Sequence, residues 1–190
     1  MIEIVVATSN NHKLQEIRKI LPESFKISGM SDIGCTDEIP ETGATFHENA
    51  LQKARYLYEK YKVTCLADDS GLEVNAIDGR PGVHSARYAG PQADSERNLS
   101  KLLVEMQGKA DRTAQFITVL ALISEGREYL FEGTVKGRIT ETPHGTGGFG
   151  YDPVFIPNGY EVTFSEMPPE EKNRISHRAI ALGKLKDFLQ

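Results

Sequence analysis

The first residues of the chain decide the fold class: Ile2-Glu3-Ile4-Val5-Val6-Ala7, followed by Thr8-Ser9-Asn10-Asn11. The short apolar run is rich in β-branched residues and predicts a buried strand. A polar turn comes next, and a helix is predicted from about His12 to Leu21, ending before Pro22. A strand, a polar turn and a helix in this order are typical of an α/β protein with parallel strands.

The rest of the chain predicts an α/β fold in which a mixed β-sheet is flanked by helices. Thr45 and Glu48 form a capping-box pattern in front of an amphipathic helix, and Asp94 is placed to cap the next one. Further strands are predicted at 26–28, 63–67, 113–123, 129–135 and 154–156, with extended chain again at 72–74, and a last helix at about 176–189. The stretches 31–45, 77–91 and 137–150 contain glycine, proline and polar residues without a clear period, so they are predicted as loops.

Length, composition and charge restrict the class of protein. The 190 residues, of which 39% are apolar and 26% charged, fit a single domain over residues 1–190 with one or two lobes. The formal net charge of −5 argues against general nucleic-acid binding, which needs basic residues to replace counterions. No stretch approaches the roughly 18 apolar residues of a membrane span. No signal peptide is visible either, so we expect a cytoplasmic protein without a membrane partner.

Two consecutive carboxylates, Asp68 and Asp69, follow the strand predicted at 63–67. Ligands of open α/β sheets bind outside the carboxyl ends of the strands. Adjacent carboxylates repel each other unless a cation or a hydrogen-bond donor lies nearby, and hard oxygen ligands of this kind suit Mg²⁺. The pattern therefore indicates a metal site, and the alternative is a solvated Asp-Ser-Gly turn.

The polar segment from Thr8 to Lys13 is a candidate phosphate site. N–H groups at the start of a helix attract anions, and Lys13 adds a mobile positive charge. The segment is not a P-loop, because GxxxxGK[ST] occurs nowhere in the chain. The alternative is helix capping by Asn10 or Asn11, with Lys13 solvated.

Two later segments are candidates for nucleoside binding. Gly145 to Gly150 matches GxGxxG, but the residues after it are predicted to be extended rather than helical, so a dinucleotide-binding fingerprint is rejected. We interpret it as a glycine loop that presents Phe149 as a stacking surface, and the alternative is an ordinary flexible connection. Lys172 to Arg178 form a basic cluster suited to a base edge or a phosphate. Its alternative is a charged helix start capped by Ser176.

Six motifs occur in order along the chain. They are Thr8-x-Asn10-x-x-Lys13, Glu41-Thr42-Gly43 with Phe46-x-Glu48-Asn49-Ala50, Ala67-Asp68-Asp69-Ser70-Gly71, Pro81-Gly82-Val83-x-Ser85-Ala86-Arg87-Tyr88, Gly148-Phe149-Gly150-Tyr151-Asp152-Pro153, and Lys172-Asn173-x-x-Ser176-His177-Arg178. Together they resemble the inosine/xanthosine triphosphate pyrophosphatases, a family that removes non-standard purine nucleotides from the precursor pool. The resemblance runs from about residue 4 to the C-terminus.

This resemblance implies a two-lobed fold with the active site in a cleft, a homodimer, and Mg²⁺-dependent release of pyrophosphate from ITP, dITP and XTP. It implies that Glu41 and Asp69 bind the metal and that Asp69 is also the general base, with Asp68 a supporting candidate. The residues implied to contact the purine nucleoside triphosphate are Thr8, Ser9, Asn10, Asn11, His12, Lys13, Ser70, Phe149, Gly150, Tyr151, Asp152, Lys172, His177 and Arg178.

His177 and Arg178 are predicted to select the base. Both can donate a hydrogen bond to the oxygen at purine position 6, whereas adenine presents a donor there and would leave buried donors unpaired. A pyrophosphatase that favours pyrimidines is one alternative, and a non-catalytic nucleotide sensor is another. The sensor has no need of the base Asp69.

Overall fold

The computed structural model describes residues 2–190. The strands of this part of the chain are β1 (Ile2–Ala7), β2 (Phe25–Gly29), β3 (Cys65–Val74), β4 (Thr113–Ser124), β5 (Arg127–Ile139) and β6 (Phe155–Pro157). Its α-helices are α1 (Asn11–Ile20), α2 (Phe46–Tyr61), α3 (Ser95–Glu105), α4 (Pro169–Ile175) and α5 (His177–Leu189). Short 3-10 helices lie at Met30–Ile33, Asn75–Ile77, Gly82–Arg87 and Asp152–Val154.

The strands form one sheet in the order β2-β1-β3-β4-β5-β6. β1 is parallel to both β2 and β3, whereas β5 is antiparallel to β6. Glu125 and Gly126 join β4 to β5, and both have positive φ, 52° and 76°, as in a type I′ hairpin turn. The sheet contains parallel and antiparallel pairs, so the predicted mixed sheet flanked by helices is confirmed.

Side chains cap the first three helices. Asn10 precedes α1, and its side-chain oxygen accepts from the backbone N–H of His12 at 2.9 Å. Thr45 and Glu48 form the reciprocal capping box of α2, and Asp94 caps α3. These caps satisfy N–H groups that have no partner inside a helix, and the predicted starts of α2 and α3 are confirmed.

The strand that carries the paired aspartates is longer than predicted, which is a correction. The predicted strand ends at residue 67, whereas β3 continues to Val74 through Asp68 and Asp69. Asp, Ser and Gly favour turns when their polar groups are solvated. Both aspartates are buried here, and their tertiary contacts override the local preference. They therefore lie within a strand and not beyond its end.

Regular structure also reaches into the predicted loops. The Gly82–Arg87 3-10 helix lies in the loop predicted at 77–91, and β5 includes Gly137 from the loop predicted at 137–150. A Cβ on Gly137 would lie 2.2 Å from the carbonyl oxygen of Ile156, so this glycine permits the close approach of β6. The seven-residue helix α4 is not predicted, because so short a segment shows no apolar period.

The chain forms two compact units, in agreement with the two lobes that the family resemblance implies. Unit 1 runs up to Asp69 and includes Thr118–Gly133 and Arg178–Gln190. Its apolar core joins β1, α1, β3, β4 and α5 through buried side chains such as Ile4, Ile17 and Leu182. The polar residues of α1, β3 and α5 are therefore carried on elements that share one core.

Unit 2 comprises Ser70–Ile117 and Thr134–His177. An aromatic cluster lies in its core, where the ring centroids of Phe116 and Phe155 are 4.7 Å apart and those of Phe116 and Phe164 are 5.9 Å apart. Within residues 2–190, no helix is both long enough and apolar enough to cross a bilayer.

Candidate active site

Asp68 and Asp69 are consecutive residues of β3, so their side chains point to opposite faces of the strand. Asp68 is fully buried and Asp69 is 5% exposed. Buried carboxylates need cations, donors or a bound ligand to offset the loss of hydration. The two carboxylates have different partners, as follows from their opposite directions on the strand.

Asp68 is held by two cations of unit 1. Its Oδ1 contacts the ammonium of Lys13, and its Oδ2 accepts from Nε of Arg178 at 2.8 Å. Burial opposes the charge of Asp68, but Arg178 and Lys13 outweigh burial and hold its pKa well below its usual range. Arg178 is itself fully buried and also contacts the carboxylate of Glu16 on α1. The chain Lys13–Asp68–Arg178–Glu16 therefore links α1, β3 and α5.

This network contradicts the alternative in which Lys13 is solvated, because its ammonium is paired with Asp68. It also differs from the role predicted for Arg178. The sequence predicts Arg178 as a donor to the base, whereas its Nε and Nη1 donate to Asp68 and Glu16. Both side chains are ordered by ion pairs inside unit 1, and their contacts with a substrate stay predictions.

Asp69 is less completely compensated. Among residues 2–190, none donates a hydrogen bond to its buried Oδ2, and the Nζ of Lys53 lies 3.8 Å from its Oδ1. Burial, with smaller contributions from Glu41 and Asp68, raises the pKa of Asp69 to about 6, against the opposing effect of Lys53 and Lys13. Asp69 therefore has an oxygen that is available for a ligand and a basicity suited to proton transfer at neutral pH.

Lys53 links the two predicted metal ligands. Its ammonium contacts the carboxylate of Glu41, lies near Asp69 and donates to the backbone carbonyl of Asp68 at 2.7 Å. Glu41 and Asp69 thus face one positive charge. Within residues 2–190, no three His, Cys, Asp or Glu side chains are grouped to hold a metal. The two carboxylates, one of which includes the Oδ2 of Asp69, nevertheless fit Mg²⁺, which is commonly held by one or two carboxylates together with substrate phosphates.

The predicted phosphate segment is the turn between β1 and α1. The side chain of Asn10 accepts from the N–H groups of His12 and Lys13 at 2.9 and 3.3 Å, and Oγ1 of Thr8 accepts from the N–H of Asn10 at 3.1 Å. Capping by Asn10, the alternative given for this segment, therefore describes its local geometry. Three further residues of the segment are exposed: Ser9, Asn11 and His12.

A second polar cluster lies in unit 2. Asp152 and Lys172 are buried, and the Nζ of Lys172 lies 2.7 Å from Oδ2 of Asp152. The same carboxylate oxygen accepts from the N–H of Phe149 at 2.9 Å, and the Lys172 ammonium lies 4.8 Å from the centroid of the Phe149 ring. A Cβ on Gly148 would lie 2.1 Å from Oδ2 of Asp152. The ion pair therefore fixes the turn that carries Phe149.

The remaining predicted residues of unit 2 differ in exposure. His177 is buried, and its ring stacks on Phe116 with centroids 4.6 Å apart and an angle of 9°. The hydroxyl of buried Tyr151 donates to the carbonyl of Ser85 at 2.7 Å. This hydrogen bond therefore connects the glycine-rich segment to Ser85. Two others are half-buried: Ser70 and Gly150.

Lys53 and Glu16 are missed by the sequence interpretation. A signal for Lys53 exists, because it lies on the buried face of α2 with Phe46, Ala50, Ala54 and Leu57, at helical spacing. A lysine in an apolar stripe needs a buried partner, so it marks an ion pair. Glu16 has no comparable signal, since its partner Arg178 is 162 residues away.

A buried carboxylate with a pKa near 6, a second carboxylate and nearby ammonium groups suit the hydrolysis of phosphate anhydrides. The sequence profile of the Ham1 family matches residues 4–188, and the chain belongs to this family. A protein of Flavobacterium johnsoniae named dITP/XTP pyrophosphatase is 50% identical over 188 residues, covering 99% of this chain and 98% of the relative. A protein of the same name from Bacillus subtilis is 46% identical, covering 100% and 98%.

Solved structures of Ham1 proteins are also similar. The Ham1 protein of Staphylococcus aureus has a TM-score of 0.90 and 39% identity, covering 98% of this chain and 97% of that one. The HAM1 protein of Coxiella burnetii has a TM-score of 0.92 and 38% identity, covering 100% and 98%. Fold and family thus agree with the resemblance carried by the six motifs.

Proposed function

We propose that this protein hydrolyses ITP, dITP and XTP to the nucleoside monophosphate and pyrophosphate, and so removes non-standard purine nucleotides from the pool. Relatives named dITP/XTP pyrophosphatase support the proposal, because they match nearly the whole chain at 50% and 46% identity. The structural observation that carries it is Asp69, whose buried Oδ2 has no hydrogen-bond donor within residues 2–190.

Asp69 is the proposed general base. In the metal-free site its pKa is about 6, so it is mostly ionised at neutral pH and can accept a proton from the attacking water. Water then adds across the anhydride bond between the α and β phosphates, and pyrophosphate leaves. Asp68 does not suit this role, because Arg178 and Lys13 hold its pKa far below that of Asp69.

Glu41 and Asp69 are the proposed ligands of Mg²⁺. Bound at these carboxylates, the ion would neutralise phosphate oxygens and polarise the phosphorus that is attacked. Lys53 already contacts Glu41 and lies near Asp69, so its ammonium can turn to a phosphate oxygen while staying near the same carboxylates. Lys13 supplies a second positive charge, which is close enough to Asp69 to lower the pKa of that carboxyl.

The purine is assigned to residues with aromatic and hydrogen-bonding character. Phe149 supplies a half-buried ring for stacking, and His177 supplies ring nitrogens for the oxygen at purine position 6. Asp152 is buried with Lys172 beside the Phe149 ring, so it fixes the ring that would carry the base. The homodimer implied by the family resemblance and the expected cytoplasmic location stay predictions.

The decisive experiment incubates the protein with a panel of nucleoside triphosphates and Mg²⁺ and identifies the products. We expect pyrophosphate and a monophosphate from ITP, dITP and XTP, with ATP turned over much more slowly. Orthophosphate as the first product would refute the proposed bond cleavage. Equal turnover of ATP would refute the base assignment, and faster turnover of pyrimidine triphosphates would favour the alternative substrate class.

A further inference from the structure

The segment Glu41–Thr45 contains no helix or strand, yet side chains of α2 bind the N–H groups of its last four residues. Gln52 Oε1 accepts from the N–H of Thr42 at 2.9 Å, and Asn49 Oδ1 accepts from the N–H of Gly43 at 2.7 Å. The carboxylate of Glu48 accepts from the next two N–H groups, at 2.6 and 3.2 Å. Four consecutive N–H groups are therefore bound by three residues of one helix. We call this arrangement the α2 clasp.

The α2 clasp also includes a second bond to Thr42 and a close approach of the backbone at Gly43. Gln52 bonds Thr42 twice, because its Nε2 also donates to Oγ1 of Thr42 at 3.0 Å. At the next residue, a Cβ on Gly43 would lie 2.5 Å from Cβ of Glu48 and 2.8 Å from Oδ1 of Asn49. Only glycine allows the backbone to approach α2 so closely. These hydrogen bonds and this close approach therefore fix the segment against α2.

Glu41 is the residue next to this clasp. Its side chain extends to Lys53, one residue after Gln52 on the same helix. Residues 48, 49, 52 and 53 are spaced so that they lie along one side of α2. The helix therefore holds both the backbone beside Glu41 and the ammonium that its carboxylate contacts.

We infer that Asn49 and Gln52 are positioning residues that hold the carboxylate of Glu41 toward Asp69 for divalent-cation binding. The inference rests on the proposed function, in which Glu41 and Asp69 are the metal ligands. Mg²⁺ requires near-ideal octahedral geometry, and groups that orient a ligand typically change metal affinity by about 10–100-fold. Without the clasp, Glu41 would keep its contact with the Lys53 ammonium, but the irregular, largely exposed segment that carries it would lose its contacts with α2.

Gln52→Met tests the inference, because it preserves side-chain length and removes both bonds to Thr42. Gln115→Met is the matched control: Gln115 is also half-buried, and its amide donates to Glu73 at 2.8 Å in unit 2. Water-proton relaxation measures Mn²⁺ binding to the full chain saturated with a non-hydrolysable α,β-methylene analogue of ITP. The same analogue without protein provides the blank. Thermal unfolding of each variant is recorded in parallel.

We expect Gln52→Met to weaken Mn²⁺ binding by about tenfold, with little change in the unfolding temperature, and Gln115→Met to leave binding unchanged. Unchanged Mn²⁺ affinity in Gln52→Met would overturn the inference and leave the proposed function intact. Equal weakening in both variants would also overturn it, since the effect would then be general. If the parent protein binds no Mn²⁺ beyond the blank, the metal assignment and the inference both fail.

Discussion

Replacing Asp69 with asparagine should stabilise the protein in a chelating buffer, whereas the same change at Asp68 should destabilise it. Burial, together with Glu41 and Asp68, disfavours the charged form of Asp69, so a neutral side chain fits the folded state better. Asp68 lies as deep, but it contacts Lys13 and Arg178. Its charge is therefore the form that the fold requires.

The magnitude at Asp69 follows from its pKa, which rises from 3.8 to about 6 on folding. One pKa unit corresponds to about 1.4 kcal/mol, so the charged carboxylate costs the folded state about 3 kcal/mol. Because the pKa is raised, the protonated form stabilises the fold fully below the unfolded-state pKa, and this contribution is lost as the pH rises through about 6. The advantage of Asp69→Asn should be about 3 kcal/mol at pH 8 and about 1.5 kcal/mol at pH 5.

For Asp68→Asn the expected sign is opposite. Removing one partner of a buried ion pair typically costs about 3–5 kcal/mol, because the cations that remain are buried without compensation. Lys13 and Arg178 are the cations concerned. Since the pKa of Asp68 is lowered, the stability contributed by its charge is present above the unfolded-state pKa and is lost only in acid. The deficit of the variant should therefore be similar at pH 5 and pH 8.

Urea unfolding followed by circular dichroism, in EDTA at both pH values, measures the free energy of unfolding of the parent and the two variants. An Asp69→Asn variant that is no more stable than the parent at pH 8 would refute the argument. So would an advantage that does not shrink toward pH 5. Asp69→Asn should at the same time abolish turnover of ITP, and an active variant would exclude Asp69 as the base.

Three further changes give separate tests. Lys53→Met removes the cation between Glu41 and Asp69, and its loss should raise the pKa of Asp69. The acidic limb of the kcat/KM profile should therefore move to higher pH, and an unmoved limb would contradict this. Gly148→Ala places a Cβ 2.1 Å from Oδ2 of Asp152 at a φ of +69°. We therefore expect a lower unfolding temperature and a raised KM for ITP, and an unaltered KM would show that the turn does not contribute to substrate binding. Tyr151→Phe removes the hydrogen bond to the Ser85 carbonyl, which is worth about 1 kcal/mol. Calorimetry should record an unfolding temperature about 2–4 °C lower, and an unchanged temperature would show that the bond does not stabilise the fold.

The fold was predictable wherever local pattern and environment agree. β1 and α1 follow from an apolar run, a polar turn and a helical period, and α2 from the capping box of Thr45 and Glu48. The predicted end of β3 is wrong, because Asp68 to Gly71 have turn propensity as isolated residues. Lys13 and Arg178, which belong to other elements, reverse that preference, and their pairing with Asp68 cannot be inferred from the local sequence.

The candidate site was predictable as a set of motifs but not as a set of contacts. The order of the motifs indicates the family, yet nothing in it pairs Arg178 with Asp68, 110 residues away. Nor does it show that Asp152 and Lys172 neutralise each other in the core of unit 2. Lys53 is the exception, since a lysine on the apolar stripe of α2 indicates a buried partner through its spacing alone.

The correction to β3 has a chemical consequence for the two aspartates. In a turn, both carboxylates would be solvated and both would keep ordinary acidity. On an extended strand they point to opposite faces, so Asp68 can meet Lys13 and Arg178 while Asp69 lies 3.8 Å from the more distant ammonium of Lys53. One residue therefore stabilises the fold through its charge, and its neighbour carries a charge that the fold disfavours. A carboxylate of the second kind gains most from a proton or a bound cation, which is the property that a base and metal ligand requires.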